Sequence, residues 1–194
     1  MTVLAVIIAI YAAMVLFVPA FGPPFVAERR NLMPWALRAH LSGGLSALAL
    51  GPWQLNSRIR NRVVSLHRWM GRGYVLAVVV GGLGALALAR VSQLGFVTHL
   101  GFGMLAVLWL TATLQGYRRI RVHDLVSHRR WMIRSYALTL AAVTLRIFLP
   151  VSQLMGLSFA EAYQAVAWFC WVPNLVVAEW LMLRHDPRES TITA

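Results

Sequence analysis

Lysine is absent from this sequence, cysteine occurs once, and acidic residues number only 6. The single Cys170 excludes an intrachain disulfide and any multi-cysteine metal site, so thiols say nothing about redox compartment. Charged side chains make up 12% of the 194 residues, roughly half the share of an ordinary soluble domain. What charge there is has one sign: the 18 basic residues are all arginine, and the formal net charge is +12. So basic a chain could serve nucleic acid. Here, however, the arginines are confined to short segments between apolar runs, where they orient a membrane protein and meet anionic headgroups. Nucleic acid is excluded as a partner on that ground, and the lipid bilayer is the expected one.

What is present in excess is apolar surface, at 59% of residues, gathered in runs of membrane-spanning length, about 20 residues each. The predicted fold is all-α and integral to the membrane. It is a single transmembrane domain over 1–194, with six spans near 3–21, 34–53, 63–89, 95–117, 127–148 and 160–183 and a polar tail over 184–194. The first run lacks a convincing small-residue cleavage site and reads as a retained helix that Gly22-Pro23-Pro24 ends. Glu28, Arg29 and Arg30 then fall in a short outer loop. Pro34 opens the second span as a first-turn proline, Asn56 to Arg62 form a basic loop, and Pro150 ends the fifth span. One face holds Arg58, Arg60, Arg62, Arg68, Arg72, Arg118, Arg119, Arg121, Arg129, Arg130, Arg134, Arg184 and Arg188. The other holds Arg29, Arg30, Arg38 and Arg90, with Arg146 inside a span near it. That asymmetry predicts a bacterial inner-membrane protein, multi-pass, with both termini and both basic loops cytoplasmic.

The organising stretch is Gln115 to Tyr136, QGYRRIRVHDLVSHRRWMIRSY, which has an upstream echo from Gln54 to Tyr74, QLNSRIRNRVVSLHRWMGRGY. Gln54, Arg58, Ile59, Arg60, His67 and Arg68 match Gln115, Arg119, Ile120, Arg121, His128 and Arg129 at one offset. After a one-residue insertion, Trp69, Met70, Arg72 and Tyr74 match Trp131, Met132, Arg134 and Tyr136. Further back, His40-Leu41-x-x-Gly44-x-x-Ala47 matches His99-Leu100-x-x-Gly103-x-x-Ala106. A tandem two-helix repeat therefore builds a four-helix core from spans two to five.

The repeat distributes four histidines by depth. His40 and His99 fall near the outer ends of the second and fourth spans, and His67 and His128 near the inner ends of the third and fifth. A low-spin b-type haem takes two neutral imidazoles from different helices of a bundle. The expected cofactors are two such haems, one on His40 and His99 and one on His67 and His128, which are the metal ligands of this reading. Gly44 and Gly103 lie one turn beyond their histidines, on the same helix face, and leave room for a flat macrocycle. Propionates are carboxylates, and arginine is their forked partner. Arg68, Arg72, Arg129 and Arg134 surround the inner pair, and Arg38 and Arg146 lie near the outer one. A charge inside a span, as at Arg146, is costly and usually functional.

Taken singly, each feature has a plainer explanation. A lone histidine at a helix end is most often interfacial, glycines such as Gly81, Gly82 and Gly84 mark tight packing of membrane helices, and Trp53, Trp69 and Trp131 suit an interfacial belt. Two depth-matched, repeat-related pairs are what those explanations leave over. His123 and His185 stand outside the pattern and are expected to face solvent. No catalytic residue can be assigned.

The His-Arg-Trp-Met-Gly-Arg-x-Tyr and His-Arg-x-Trp-Met motifs resemble a family of bacterial predicted membrane proteins catalogued only as a domain of unknown function. The resemblance covers roughly Leu37 to Leu183 and implies no activity. The placement of His40, His99, His67 and His128 is more distantly similar to the two-haem membrane cytochromes of the cytochrome b-561 type. That likeness implies electron transfer across the membrane, with quinone, an ascorbate-like reductant or ferric iron as donor or acceptor. Unlike those cytochromes, the chain has no lysine-containing ascorbate motif, and an inner haem on His67 and His128 would be shallow. The favoured expectation is thus an electron-transfer cytochrome, a membrane oxidoreductase in the broad sense. The alternative is a haem-free small transporter, with Arg146 and Glu179 lining a polar path, or an assembly or scaffold subunit of a membrane complex. A homodimer is compatible with either.

Overall fold

The computed structural model describes residues 2–18, 22, 24–92 and 94–184, and among these no strand occurs. The described residues form ten helices, in order α1 (Thr2–Phe17), α2 (Pro24–Leu32), α3 (Pro34–Leu55), α4 (Ser57–Arg62), α5 (Val64–Arg90), α6 (Phe96–Arg121), α7 (Leu125–Thr139), α8 (Ala141–Leu154), α9 (Phe159–Phe169) and α10 (Val172–Arg184). Four stretches among the described residues are long and apolar enough to cross a membrane: Val64–Arg90, Phe96–Arg121, Leu125–Leu154 and Phe159–Arg184. They coincide with the expected third to sixth spans. The other two expected spans do not reach the same measure. α1 has only 16 residues, and the 22 residues of α3 are diluted by Arg38, His40, Ser42, Ser46, Pro52 and Gln54.

α3 nevertheless lies antiparallel along α5 over its whole length. A Cβ on Gly84 would meet the Ala36 carbonyl oxygen at 2.6 Å and the His40 amide at 2.7 Å, and one on Gly71 would meet Gln54 Oε1 at 3.3 Å. Between those ends Gly43 and Gly81 put the two backbones in contact, and a side chain on Gly43 would overlap Ala77 O and the Gly81 backbone. Close backbone approach through small residues drives helix association where lipid removes the hydrophobic incentive. The packing role expected of Gly81, Gly82 and Gly84 is met: Gly81 and Gly84 serve α3, and Gly82 sits under Leu110 of α6.

Several local expectations need correction. The outer loop with Glu28, Arg29 and Arg30 is helical, as α2, and the first basic loop is largely α4, capped by the Asn56 side chain accepting from the Arg58 amide at 2.9 Å. Pro150 does not end a helix, for α8 continues through it to Leu154. Pro52 likewise lies inside α3. Each of the last two spans is interrupted instead. At Leu140 the Thr139 and Thr144 hydroxyls bond back to Ser135 O (2.9 Å) and Leu140 O (3.2 Å), which bends a helix. At Cys170–Trp171 the cause is Pro173, which has no N–H for the Phe169 carbonyl. There the chain tightens to a Trp171 N to Trp168 O bond of 3.3 Å. Asn174 joins the two interruptions, donating to Ala137 O (3.3 Å), Thr144 Oγ1 (3.0 Å) and Cys170 O (3.0 Å).

Among the described residues the larger apolar cluster lies between α3, α5, α6, α7, α8 and the α9–α10 span and includes Tyr74, Val78, Trp109, Tyr136 and Val166, and a smaller one joins Ala36 and Leu37 of α3 to Leu88 of α5. Tyr136 fits there because Gly51 has no side chain, and a Cβ at Gly51 would overlap its ring.

Candidate functional site

The four histidines sit where helix geometry sets their depth. His67, His99 and His128 are in the first turns of α5, α6 and α7, and His40 is near the start of α3. From His67 to Gly81, the α5 residue that His40 reaches, is about 21 Å at 1.5 Å per residue.

Three of the four rings are fixed by a backbone carbonyl. His40 Nδ1 lies 3.1 Å from Gly81 O, His99 Nε2 lies 2.7 Å from Ser92 O, and His128 Nδ1 lies 2.8 Å from Gly116 O. A carbonyl oxygen can only accept, so the facing ring nitrogen carries the proton, and in the neutral ring the other nitrogen keeps its lone pair. His40 and His128 therefore present Nε2, and His99 presents Nδ1. His67 differs. Its Nδ1 is buried without a hydrogen-bond partner, and only its backbone is held, by Gln54 Nε2 donating to His67 O at 3.2 Å.

His67 and His128 are brought within electrostatic reach of each other, with Arg60 and Arg68 alongside. The outer pair is not joined in the same way. His40 turns into α5 and has Arg146 as its charged neighbour, whereas His99 turns back to the end of α5. Gly44 faces open space, with nothing within 4 Å of a Cβ built on it, and at Gly103 the first neighbour is Ala89 Cβ at 4.0 Å. A groove of about 320 Å³ runs along α6 beside it, lined by His99, Leu100, Gly103, Met104, Val107 and Leu108. His123 is exposed in a turn with φ 59°, as expected. His185 lies outside the described residues.

The arginines divide. Arg38, Arg68, Arg72 and Arg129 are exposed, with Arg72 stacked over the Trp69 ring at 5.0 Å. The Arg134 guanidinium forks onto Glu179 of α10, Nη2 to Oε2 at 2.8 Å and Nε to Oε1, and lies over the Trp131 ring. A planar fork matches a carboxylate closely, and the Glu179 side chain keeps 44% of its surface exposed in the pair. Arg146 donates from Nη1 to Ala142 O at 2.8 Å and lies 5.0 Å over the Tyr11 ring, while its Nε is buried with no hydrogen-bond partner.

The segment carrying all of these residues also carries the family resemblance. The predicted membrane protein family catalogued as domain of unknown function 2306 matches residues 37–182, from Leu37 in α3 to Met182 in α10. The chain belongs to that family. No curated protein and no solved structure matches it. α1 and α2 precede the matched region of this family member, and every candidate ligand and arginine lies within it.

Sequence reasoning missed one polar constellation in this family member. Tyr74 OH lies 2.8 Å from Ser135 Oγ and 2.9 Å from Thr139 Oγ1, and Ser135 Oγ lies 2.6 Å from Thr113 Oγ1, all of them buried between α5, α6 and α7. The Thr113 hydroxyl donates to Trp109 O at 2.8 Å and the Trp109 indole donates to Thr139 Oγ1 at 2.9 Å. A carbonyl oxygen only accepts, so Thr113 donates to Trp109 O and Thr139 to Ser135 O at 2.9 Å; Ser135 then donates to Thr113, and the Tyr74 proton is left for Ser135 and Thr139. The signal was present in part, since Ser135 and Thr139 share a face at i, i+4.

Proposed function

We propose that this family member is a transmembrane electron carrier holding two b-type haems, one on His40 and His99 and one on His67 and His128. The observation that supports it most is the state of the rings. An imidazole that donates one N–H to a carbonyl has a fixed tautomer and a more basic second nitrogen, the usual condition of a metal-bound histidine. Three of the four histidines meet it. The donor set thus fits haem, and the vacant faces of Gly44 and Gly103 fit a flat ring. When bound, haem supplies reversible one-electron chemistry at iron.

The chain's own contributions follow from its residues. The Gly81, Ser92 and Gly116 carbonyls orient the imidazoles. Arg146, with Nε unengaged beside His40, supplies a positive partner for an outer propionate. Arg68, Arg72 and Arg129 do the same at the inner face. The buried hydroxyl cluster of Tyr74, Ser135, Thr139 and Thr113 holds α5, α6 and α7 together, the helices of His67, His99 and His128. Quinone, an ascorbate-like reductant or ferric iron remain the donor and acceptor classes of this reading.

One observation favours a haem-free transporter as a second reading. Two interrupted helices meet through Asn174, and discontinuous spans at a shared depth are a feature of transporter binding sites. A reduced-minus-oxidised visible spectrum of the protein purified after expression with added haem separates the two. Soret and alpha bands at two haems per chain support the carrier. A featureless spectrum leaves the transporter.

A further inference from the structure

We infer that the first basic segment, α4 with the flanking ends of α3 and α5, is a binding site for the phosphate of an anionic phospholipid. α4 projects three guanidinium groups, Arg58, Arg60 and Arg62, from six residues, of which none is buried. Among the described residues no acidic side chain pairs with any of the three. A guanidinium offers phosphate a planar fork of donors, and it sheds its own hydration more readily than an ammonium does. The surroundings suit a lipid and not a free anion. Trp53 and Trp69 are 53% and 69% exposed beside the arginines, and Val63, Val64 and Leu66 continue the exposed apolar surface along α5. Aromatic rings at headgroup level with apolar side chains below them match the profile of one phospholipid leaflet.

The related segment after α6 is built otherwise, and the contrast makes the site specific. Its Arg118, Arg119 and Arg121 are followed by Asp124, whose carboxylate lies 3.5 Å from Arg119. There α6 ends in a turn with His123 at φ 59°, and no separate helix carries the arginines. One of its three charges is therefore offset locally, while all three on α4 are left to an external anion. Juxtamembrane arginines near an anionic leaflet each strengthen binding severalfold.

The test uses the full chain in neutral detergent, with lipid retention read by native mass spectrometry. Dioleoyl-phosphatidylglycerol should be retained and dioleoyl-phosphatidylcholine, identical in chains but zwitterionic, should not, without recourse to any variant. The triple change Arg58→Gln, Arg60→Gln, Arg62→Gln should lower phosphatidylglycerol retention by roughly tenfold or more. The charge-matched triple Arg118→Gln, Arg119→Gln, Arg121→Gln should lower it by less than about threefold. Equal retention of the two lipids overturns the inference, as does an equal loss from both triples, which would mean diffuse attraction only. Displacement of the lipid by millimolar inorganic phosphate overturns it too, because the site would then recognise the free anion.

Discussion

Trp109 holds Thr139 with its side chain, across the contact of α6 with α7. Its indole N–H donates to Thr139 Oγ1 at 2.9 Å, and its own carbonyl accepts from Thr113, another hydroxyl of the same buried cluster. Every hydroxyl of the cluster has a hydrogen-bond partner, so this buried polar group in an apolar bundle is satisfied. Such a cluster is costly only when incomplete.

Tyr74→Phe should therefore destabilise the protein by about 1–3 kcal/mol, since Ser135 loses a donor it cannot replace in a dry core. Thermal unfolding in detergent measures it. Ser135→Ala added to Tyr74→Phe should cost little more than either alone, because both act on one network. Simple additivity of the two would show that the cluster does not act as a unit.

Gly43→Ala should cost about 1–3 kcal/mol or more by overpacking, because its Cβ would meet α5 backbone that cannot yield. Gly44→Ala, one residue on, faces open space and should leave the melting temperature unchanged. A bulkier Gly44→Leu should keep the fold and reduce bound haem. Loss of haem from Gly43→Ala alone would put the macrocycle on the wrong face of α3.

Topology tests the span that composition leaves short. α3 lies along the full length of α5, from Ala36 against Gly84 to Gln54 against Gly71, so it should cross the membrane with α5 despite its polar residues. Reporter fusions after Arg62 and Arg121 should read the same side, the cytoplasm, and a fusion after Arg30 the opposite one. A fusion after Arg30 on the same side as Arg62 would leave α3 as a surface helix and dissolve the histidine pairing.

The haem count tests the pairing itself. His40→Ala and His99→Ala should each remove the same haem, and His67→Ala and His128→Ala the other, as pyridine haemochrome assays would register. A change across pairs should remove both, and a double change within a pair no more than one. If only one haem is lost in every variant and the wild type holds one, the pairs share a site and the depth argument fails.

Asp124 gives a pH dependence. Its side chain accepts the Ser127 amide at 3.0 Å at the start of α7, and that bond first, then Arg119, holds its carboxyl below the ordinary aspartate range. A lowered folded pKa means a contribution present above the unfolded value and lost as pH falls through the folded one. The first turn of α7, which carries His128, should thus fray only in acid, below the ordinary aspartate range. Asp124→Asn, which can still cap, should abolish the pH dependence of Ser127 amide exchange. A protection that follows pH equally in Asp124→Asn would assign it to another group.

The order of residues along the chain was enough to read the membrane class, the positions of four spans, the small-residue helix packing and the place of His40, His67, His99 and His128 near the starts of their helices. Hydropathy and helical periodicity act along the chain and need no knowledge of neighbours. Tertiary structure alone decided which partner each polar group takes. Arg134 faces Glu179, 45 residues away, and His40 faces Gly81 and not His99. The interruptions at Leu140 and Cys170–Trp171 are joined by one Asn174 side chain. These depend on how helices are rotated about their axes when backbones meet at Gly43 and Gly81. That rotation is set by packing between elements distant in sequence, and a pattern read along one helix at a time does not contain it.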